Sequence, residues 1–153
     1  STACVFEGTR STYTEDDIPY PKNFYALTKL LGELAAMRHP NHLIVRTNFV
    51  AKERWRYPKA FVDRYGTYLF ADDVAQGIRE VVGKRLTGIV HIVGDRRMSM
   101  YELARITRHD VGKMTLRDYS GPPLTIDMSL DTKRWKRYKI TTSFADRASY
   151  SKC

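Results

Sequence analysis

Short apolar runs alternate with amphipathic stretches along the chain. Residues 1–6 (Ser-Thr-Ala-Cys-Val-Phe) are apolar and β-prone and are closed by Gly8. They predict a buried, parallel strand. Residues 9–22 hold Asp16-Asp17, Pro19 and Pro21 and predict a loop. Asn23 is placed to cap a helix running to about His39, where Pro40 forbids continuation. Its predicted core face is Leu27, Leu30, Leu31, Leu34 and Ala35, with Tyr25 and Lys29 to one side. Residues 42–47 predict a second buried strand. Residues 51–66, with Trp55, Tyr57, Pro58, Phe61 and Tyr65, follow no regular period. Residues 67–70 predict a short extended piece. Asp72 or Asp73 then caps a helix through Val74, Ile78, Val81 and Val82, ended by Gly83. Residues 88–94 predict a third buried strand between glycines. Ser99 caps a further helix, with Glu102 in capping-box register and Leu103 and Ile106 facing inward. Beyond residue 112 the pattern weakens. Pro122-Pro123 marks a loop, residues 131–135 predict a short helix, and residues 139–153 read as a polar, frayed tail. Strands alternating with helices predict an α/β layer structure with right-handed crossovers, whose ligands gather at the carboxyl ends of the strands.

Composition narrows the partners. The 153 residues suit one compact domain, and 42% hydrophobic content suits a folded one. A formal charge of +9, from 26 Lys+Arg against 17 Asp+Glu, favours an anionic partner: nucleic acid, an anionic membrane surface or a phosphorylated small molecule. No apolar run is long enough to span a bilayer, so no membrane partner is expected. The two cysteines, Cys4 and Cys153, suggest no disulfide framework, and a cytoplasmic location is the default. The chain opens on Ser1, inside an expected strand, which suggests a fragment or a processed product.

Several residues invite chemistry. Tyr25 and Lys29 are one helical turn apart, and a close positive charge favours a phenolate over the ordinary phenol value near ~10. Taken alone, the pair also fits a packed tyrosine and a solvated lysine. His39 and His42 flank a proline without a third ligand, His91 reads as a core histidine, and no metal site is expected. The run Lys133-Arg134-Trp135-Lys136-Arg137-Tyr138-Lys139 fits either nucleic-acid binding through phosphate contacts and stacking or a solvated helix face. Residues 52–56 carry the same ambiguity. Gly83 to Gly88 forms GxxxxG, but Ile89-Val90 follows, which rejects a P-loop.

Three pieces then align in order: the strand with Thr2 leading into Gly8, Tyr25-Ala-Leu-Thr-Lys29 followed by Gly32-Glu33, and Val45-Arg46-Thr47-Asn48-Phe49. With residues 14–17, 70–75 and 122–133, they resemble the extended short-chain dehydrogenase/reductases. The likeness is nearest to dTDP-4-dehydrorhamnose reductase and related nucleotide-sugar reductases and epimerases, and it spans about residues 1–138. The resemblance implies a partial Rossmann-like, doubly wound parallel sheet lacking its first strands, with a small C-terminal substrate-binding region. Residues 1–94 would form the catalytic half and residues 95–138 the substrate-binding region. It implies Thr2, Tyr25 and Lys29 as catalytic residues. Tyr25 would give a proton to a substrate carbonyl oxygen, and Thr2 would hydrogen-bond the same oxygen. Lys29 would lower the Tyr25 pKa and bind the nicotinamide ribose. Thr47 and Asn48 would lie near the nicotinamide, and Cys4 and Phe49 near the sugar. The implied cofactor is NAD or NADP and the implied substrate a nucleotide sugar.

The glycine-rich turn that holds a dinucleotide pyrophosphate is missing, because no GxGxxG or GxxGxxG occurs. The strand at residues 1–6 would also have a bare side, which calls for a homo-oligomer or a partner chain. Two alternatives to an NAD(P)-dependent reductase stay open: a non-catalytic regulatory or binding protein on the same fold, and a nucleic-acid-binding protein.

Overall fold

In the computed structural model, residues 1–141 are described. The remainder of the predicted tail, with Cys153, lies outside them. In chain order the strands are β1 (Leu43–Thr47), β2 (Phe49–Val50), β3 (Lys59–Phe61), β4 (Tyr65–Gly66), β5 (Leu69–Phe70), β6 (Gly88–Gly94), β7 (Met98–Ser99), β8 (Gly112–Met114), β9 (Asp127–Met128) and β10 (Arg137–Tyr138). The helices are α1 (Phe24–Ala36), α2 (Ala71–Gly83) and α3 (Met100–Thr107), with 3-10 turns at Ala3–Val5 and Leu116–Asp118.

The middle of the fold is β6, parallel to β1 on one side and to β10 on the other. Leu43 faces Gly88 and Thr47 faces Ile92. Val90, Ile92 and Val93 are buried on both faces of the sheet, which is why this run shows no alternation of apolar and polar residues. Beyond the carboxyl end of β1 the chain continues into β2, paired in parallel with β5. Two smaller sheets follow, β3–β8 and β7–β4–β9. The architecture is mixed α/β with mostly parallel pairing.

The predicted strand at residues 1–6 is reduced to one parallel bridge, Thr2 to Thr47, followed by the turn at Ala3–Val5. The Thr2 hydroxyl accepts the Cys4 N–H at 3.2 Å and bends the backbone out of the ladder. The burial expected of this run is present, because Ala3, Val5 and Phe6 are all inside. An apolar run reports burial, and here local hydroxyl chemistry decided its conformation.

Helix α1 starts at its predicted cap, with Asn23 Oδ1 accepting the Ala26 N–H at 2.8 Å, and ends at Ala36 rather than near His39. Its predicted core face is wrong. Ala26 and Glu33 are buried and Leu30 is half-buried, while Leu27, Leu31 and Leu34 are 41%, 55% and 53% exposed and Phe24 is 80% exposed. The reason is an ion pair. The Glu33 carboxylate takes the Arg46 guanidinium of β1, and this bond sets the helix rotation so that the leucine stripe faces away.

In α2 the N-cap is Phe70 instead of Asp72 or Asp73, and Asp73 acts from the third position by accepting the Phe70 N–H at 3.1 Å. Val74 and Val81 are buried, whereas Ile78 and Val82 are exposed. Gly77 lets α2 approach the sheet, since a Cβ there would meet Ile92 Cγ2 at 2.9 Å. Helix α3 carries the expected reciprocal cap between Ser99 and Glu102.

No helix forms at residues 131–135, where the chain only bends at 133–135. Their cations are used as ties. Lys133 pairs with Asp16, Arg134 donates to the carbonyls of Thr87 and Ile89, Lys136 pairs with Glu80, and Arg137 pairs with Asp131. Glu80, which also accepts the Tyr138 hydroxyl, is held down at about 2 by these hydrogen bonds. Glu15 performs the same service inside, accepting the His91 and Lys133 N–H groups and the Thr132 hydroxyl. These contacts lock the loop at residues 9–22 and the C-terminal segment onto β6.

Candidate functional site

Four of the expected site residues, Thr2, Cys4, Thr47 and Asn48, gather around the carboxyl end of β1. Thr47 closes that strand and is bridged to Thr2, and both are buried. Within the described residues the Thr47 hydroxyl has no hydrogen-bond partner. Asn48 follows, and its side-chain amide donates to the Met128 carbonyl. Cys4 reaches the same residue, with Sγ 3.4 Å from Met128 Sδ. Thr2, Cys4, Thr47 and Asn48 are thus joined through one bridge and through Met128. Phe49 stands apart on β2, 56% exposed.

Helix α1 brings Tyr25 and Lys29. It packs on the turn at Ala3–Val5, directly after Thr2. Asn23 also donates to the Pro123 carbonyl at 3.0 Å, which ties the helix start to the loop before β9. Tyr25 is half-exposed, and Lys29 Nζ lies 5.6 Å from the centre of its ring. Among the described residues, no hydrogen bond joins Tyr25 to Thr2, and Lys29 has no carboxylate partner.

The orientation of α1 comes from Glu33, two turns beyond Tyr25. Arg46 Nε donates to both Glu33 oxygens at 3.0 and 3.2 Å and Nη2 to one at 2.7 Å, with both side chains about 1% exposed. Burial by itself would raise the Glu33 carboxyl. Hydrogen bonds from Arg46 and the Ser1 hydroxyl, with the Arg46 charge, outweigh it and hold the group below the usual carboxylate range. The guanidinium also lies 5.1 Å from the Phe6 ring centre. His91, next to this pair on β6, is fully buried, and burial pushes its imidazole down; its Nδ1 is 2.8 Å from the Asp131 carbonyl. Among the described residues, no group of three His, Cys, Asp or Glu side chains is arranged to hold a metal ion. No helix there is long and apolar enough to cross a membrane.

Sequence reasoning missed Met128, where Cys4 and Asn48 meet, and Arg64 and Tyr68 beside it. Met128 lies in a segment recognisable by resemblance, but nothing in its type marks it as a meeting point. Arg64 falls in the stretch without a period.

The mixed α/β fold with its parallel sheets matches that of Rossmann-like reductases. The chain belongs to the RmlD substrate binding domain family, whose model matches residues 1–120. It is 33% identical over 124 residues to a dTDP-4-keto-6-deoxy-D-glucose reductase of Streptomyces niveus, covering 70% of this chain and 43% of that protein. It is 32% identical over 128 residues to methionine adenosyltransferase 2 subunit beta of Rattus norvegicus, covering 65% of this chain and 37% of that protein. Among solved structures, a hypothetical dTDP-4-dehydrorhamnose reductase from Sulfolobus tokodaii matches with a TM-score of 0.75 and 31% identity over 88% of this chain and 55% of that one. A dTDP-4-dehydrorhamnose reductase from Bacillus anthracis in complex with NADP shares the fold, with a TM-score of 0.75 and 21% identity over 86% and 55% of the two chains. The chain therefore spans well under two thirds of the length of these relatives.

Proposed function

We propose that this chain carries the proton-handling and sugar-holding part of an NAD(P)-dependent reductase for nucleotide-linked keto-sugars, resembling dTDP-4-dehydrorhamnose reductase. The observation that carries the reading is the junction at the end of β1. Thr2 is bridged to Thr47 there, with α1, the helix that carries Tyr25 and Lys29, packed on the adjoining turn.

In this reading the Tyr25 hydroxyl donates its proton to the substrate carbonyl oxygen as the carbonyl carbon gains a hydride. The reduced nicotinamide supplies that hydride when it is bound. Lys29, with no carboxylate partner among the described residues, would hold the ribose hydroxyls. Thr2 steadies the carbonyl oxygen. The unpaired Thr47 hydroxyl and Asn48 face the nicotinamide, and Cys4 and Phe49 contact the sugar. Residues 1–94 do the proton chemistry and residues 95–138 close over the sugar.

The residues present fit the nicotinamide end of the cofactor and not its pyrophosphate. The three helices of the described chain begin after Asn23, Phe70 and Ser99, none in a glycine-rich turn. The pyrophosphate would need a grip that the described residues do not supply. The exposed face of α1 suits a second copy of the chain: Phe24, Leu27, Leu31 and Leu34 are spaced 3-4-3, so an antiparallel pairing sets Phe24 against Leu34 and Leu27 against Leu31. NADPH titration of the self-associated chain, followed by addition of a dTDP-linked 4-keto-sugar, tests the reading. Binding and sugar-dependent oxidation support it, and their absence sinks it.

A second reading is favoured by the relatives named as a subunit of methionine adenosyltransferase 2. It is a non-catalytic binding subunit on the same fold. Nucleotide binding without turnover, and with no effect of Tyr25→Phe, selects it. The nucleic-acid alternative loses support, because Lys133, Arg134, Lys136 and Arg137 all have acceptors within the chain.

A further inference from the structure

We infer that Arg64, with the Tyr68 hydroxyl, forms a binding site for a phosphoryl group on the side of Met128 that Cys4 touches.

The observation is a half-buried guanidinium without an anion. Arg64 Nε donates to the Thr125 carbonyl at 3.0 Å. Among the described residues its two terminal nitrogens meet only thioethers: Nη1 lies 3.9 Å from Met100 Sδ and Nη2 lies 3.3 Å from Met128 Sδ. A thioether is a weak acceptor. Taking a guanidinium partly out of water against such partners is costly unless a stronger acceptor arrives. Two other arginines of the fold contrast with it. Arg46 has Glu33, and Arg97, stacked 3.7 Å from the Tyr65 ring centre, has Asp127 at 2.8 Å. Among the described residues Arg64 touches no carboxylate.

Among the described residues, two buried hydroxyls of the same region are also unpaired. Tyr68 is 3% exposed, and its hydroxyl has no partner. Burial pushes this phenol up, and Arg64 is the charge that acts on it most strongly in the other direction. It therefore remains a proton donor at neutral pH. Thr125, whose carbonyl anchors Arg64, is likewise buried with an unpaired hydroxyl. Two forked N–H groups and neutral O–H donors without an acceptor match the oxygens of a phosphate, which accept such forks in bidentate fashion. Met128 links this site to Cys4 and Asn48, so a phosphoryl group here lies beside the sugar contacts.

The inference deepens the reductase reading and rests on it only for the larger molecule to which the phosphoryl group belongs. The test needs neither cofactor chemistry nor turnover. Inorganic pyrophosphate is titrated into the full chain by calorimetry at fixed ionic strength. Wild-type protein is expected to bind, and Arg64→Gln to lose about 10- to 100-fold in affinity, the worth of charge-assisted hydrogen bonds. Arg64→Lys, which keeps the charge and loses the fork, is expected to fall between. Arg117→Gln, at an exposed cation, is expected to bind as wild type does. Tyr68→Phe removes no existing hydrogen bond, so it tests the site without threatening the fold, and it is expected to bind more weakly. Competition then names the source. Displacement by thymidine diphosphate but not NADPH assigns the group to the sugar nucleotide, and the reverse assigns it to the dinucleotide. Wild-type protein that ignores pyrophosphate, or Arg64→Gln and Tyr68→Phe variants that bind it unchanged, would overturn the proposal. Loss of reductase activity with Arg64-dependent pyrophosphate binding intact would remove the reductase reading and leave the site standing.

Discussion

Glu33 on α1 and Arg46 on β1 form a buried bidentate ion pair that fixes the face the helix turns to the sheet. Tyr25 and Lys29 ride on that helix, so their direction follows from a contact two turns away. Removing one partner leaves an uncompensated buried charge, which costs about 3–5 kcal/mol. Glu33→Ala and Arg46→Ala are each expected to destabilise the chain by that order in denaturant unfolding. A paired replacement, Glu33→Leu with Arg46→Met, is expected to recover much of the loss.

The same pair sets a pH dependence. The Glu33 carboxyl is held below its ordinary value in the folded chain, so the unfolded chain binds its proton more readily. Its contribution is fully present above the unfolded carboxyl value near ~4.3 and is lost as pH falls through the lower folded value. The melting temperature is expected to decline through this acidic window, and the Glu33→Gln variant, already lower at neutral pH, to decline less steeply.

Glu80 makes a matching prediction for the C-terminal segment. With its carboxyl held at about 2 by Lys136 and Tyr138, residues 135–138 are expected to stay docked on α2 well into acid. Hydrogen exchange at β10 is expected to rise in Glu80→Ala at neutral pH, and to rise in wild type only near the Glu80 value.

The apolar face of α1 predicts association. Leu31→Glu places a charge in the middle of the Phe24–Leu34 stripe and is expected to shift the chain toward monomer in light scattering, with little effect on melting, because Leu31 is 55% exposed in a single chain. Wild-type protein that stays monomeric at high concentration would contradict the second-copy proposal.

Much of this was legible in the amino-acid sequence, for physical reasons. The β6 run is apolar without alternation because both sheet faces are covered, and Ser99–Glu102 is a local cap that needs no tertiary partner. The family could be read from the order and spacing of the motifs around Tyr25, Lys29, Arg46 and Thr47. What could not be read depended on contacts across the fold. The leucines of α1 look like a core face until a buried Glu33–Arg46 bond outweighs them. Residues 1–6 look like a strand until the Thr2 hydroxyl turns them. The cations at residues 133–137 read as a solvated run, and in the fold each has an acceptor. Arg64 gave no signal at all, because its significance lies in what it fails to touch.

The most direct test of the central claim is the rate of hydride transfer from NADPH to a dTDP-linked 4-keto-sugar in wild-type protein and Tyr25→Phe, at concentrations where the chain self-associates. The account predicts sugar-dependent NADPH oxidation that falls about 10²- to 10⁴-fold in the variant, the usual worth of a positioned general acid. Oxidation at the same rate in both proteins, or none in wild type, would contradict it.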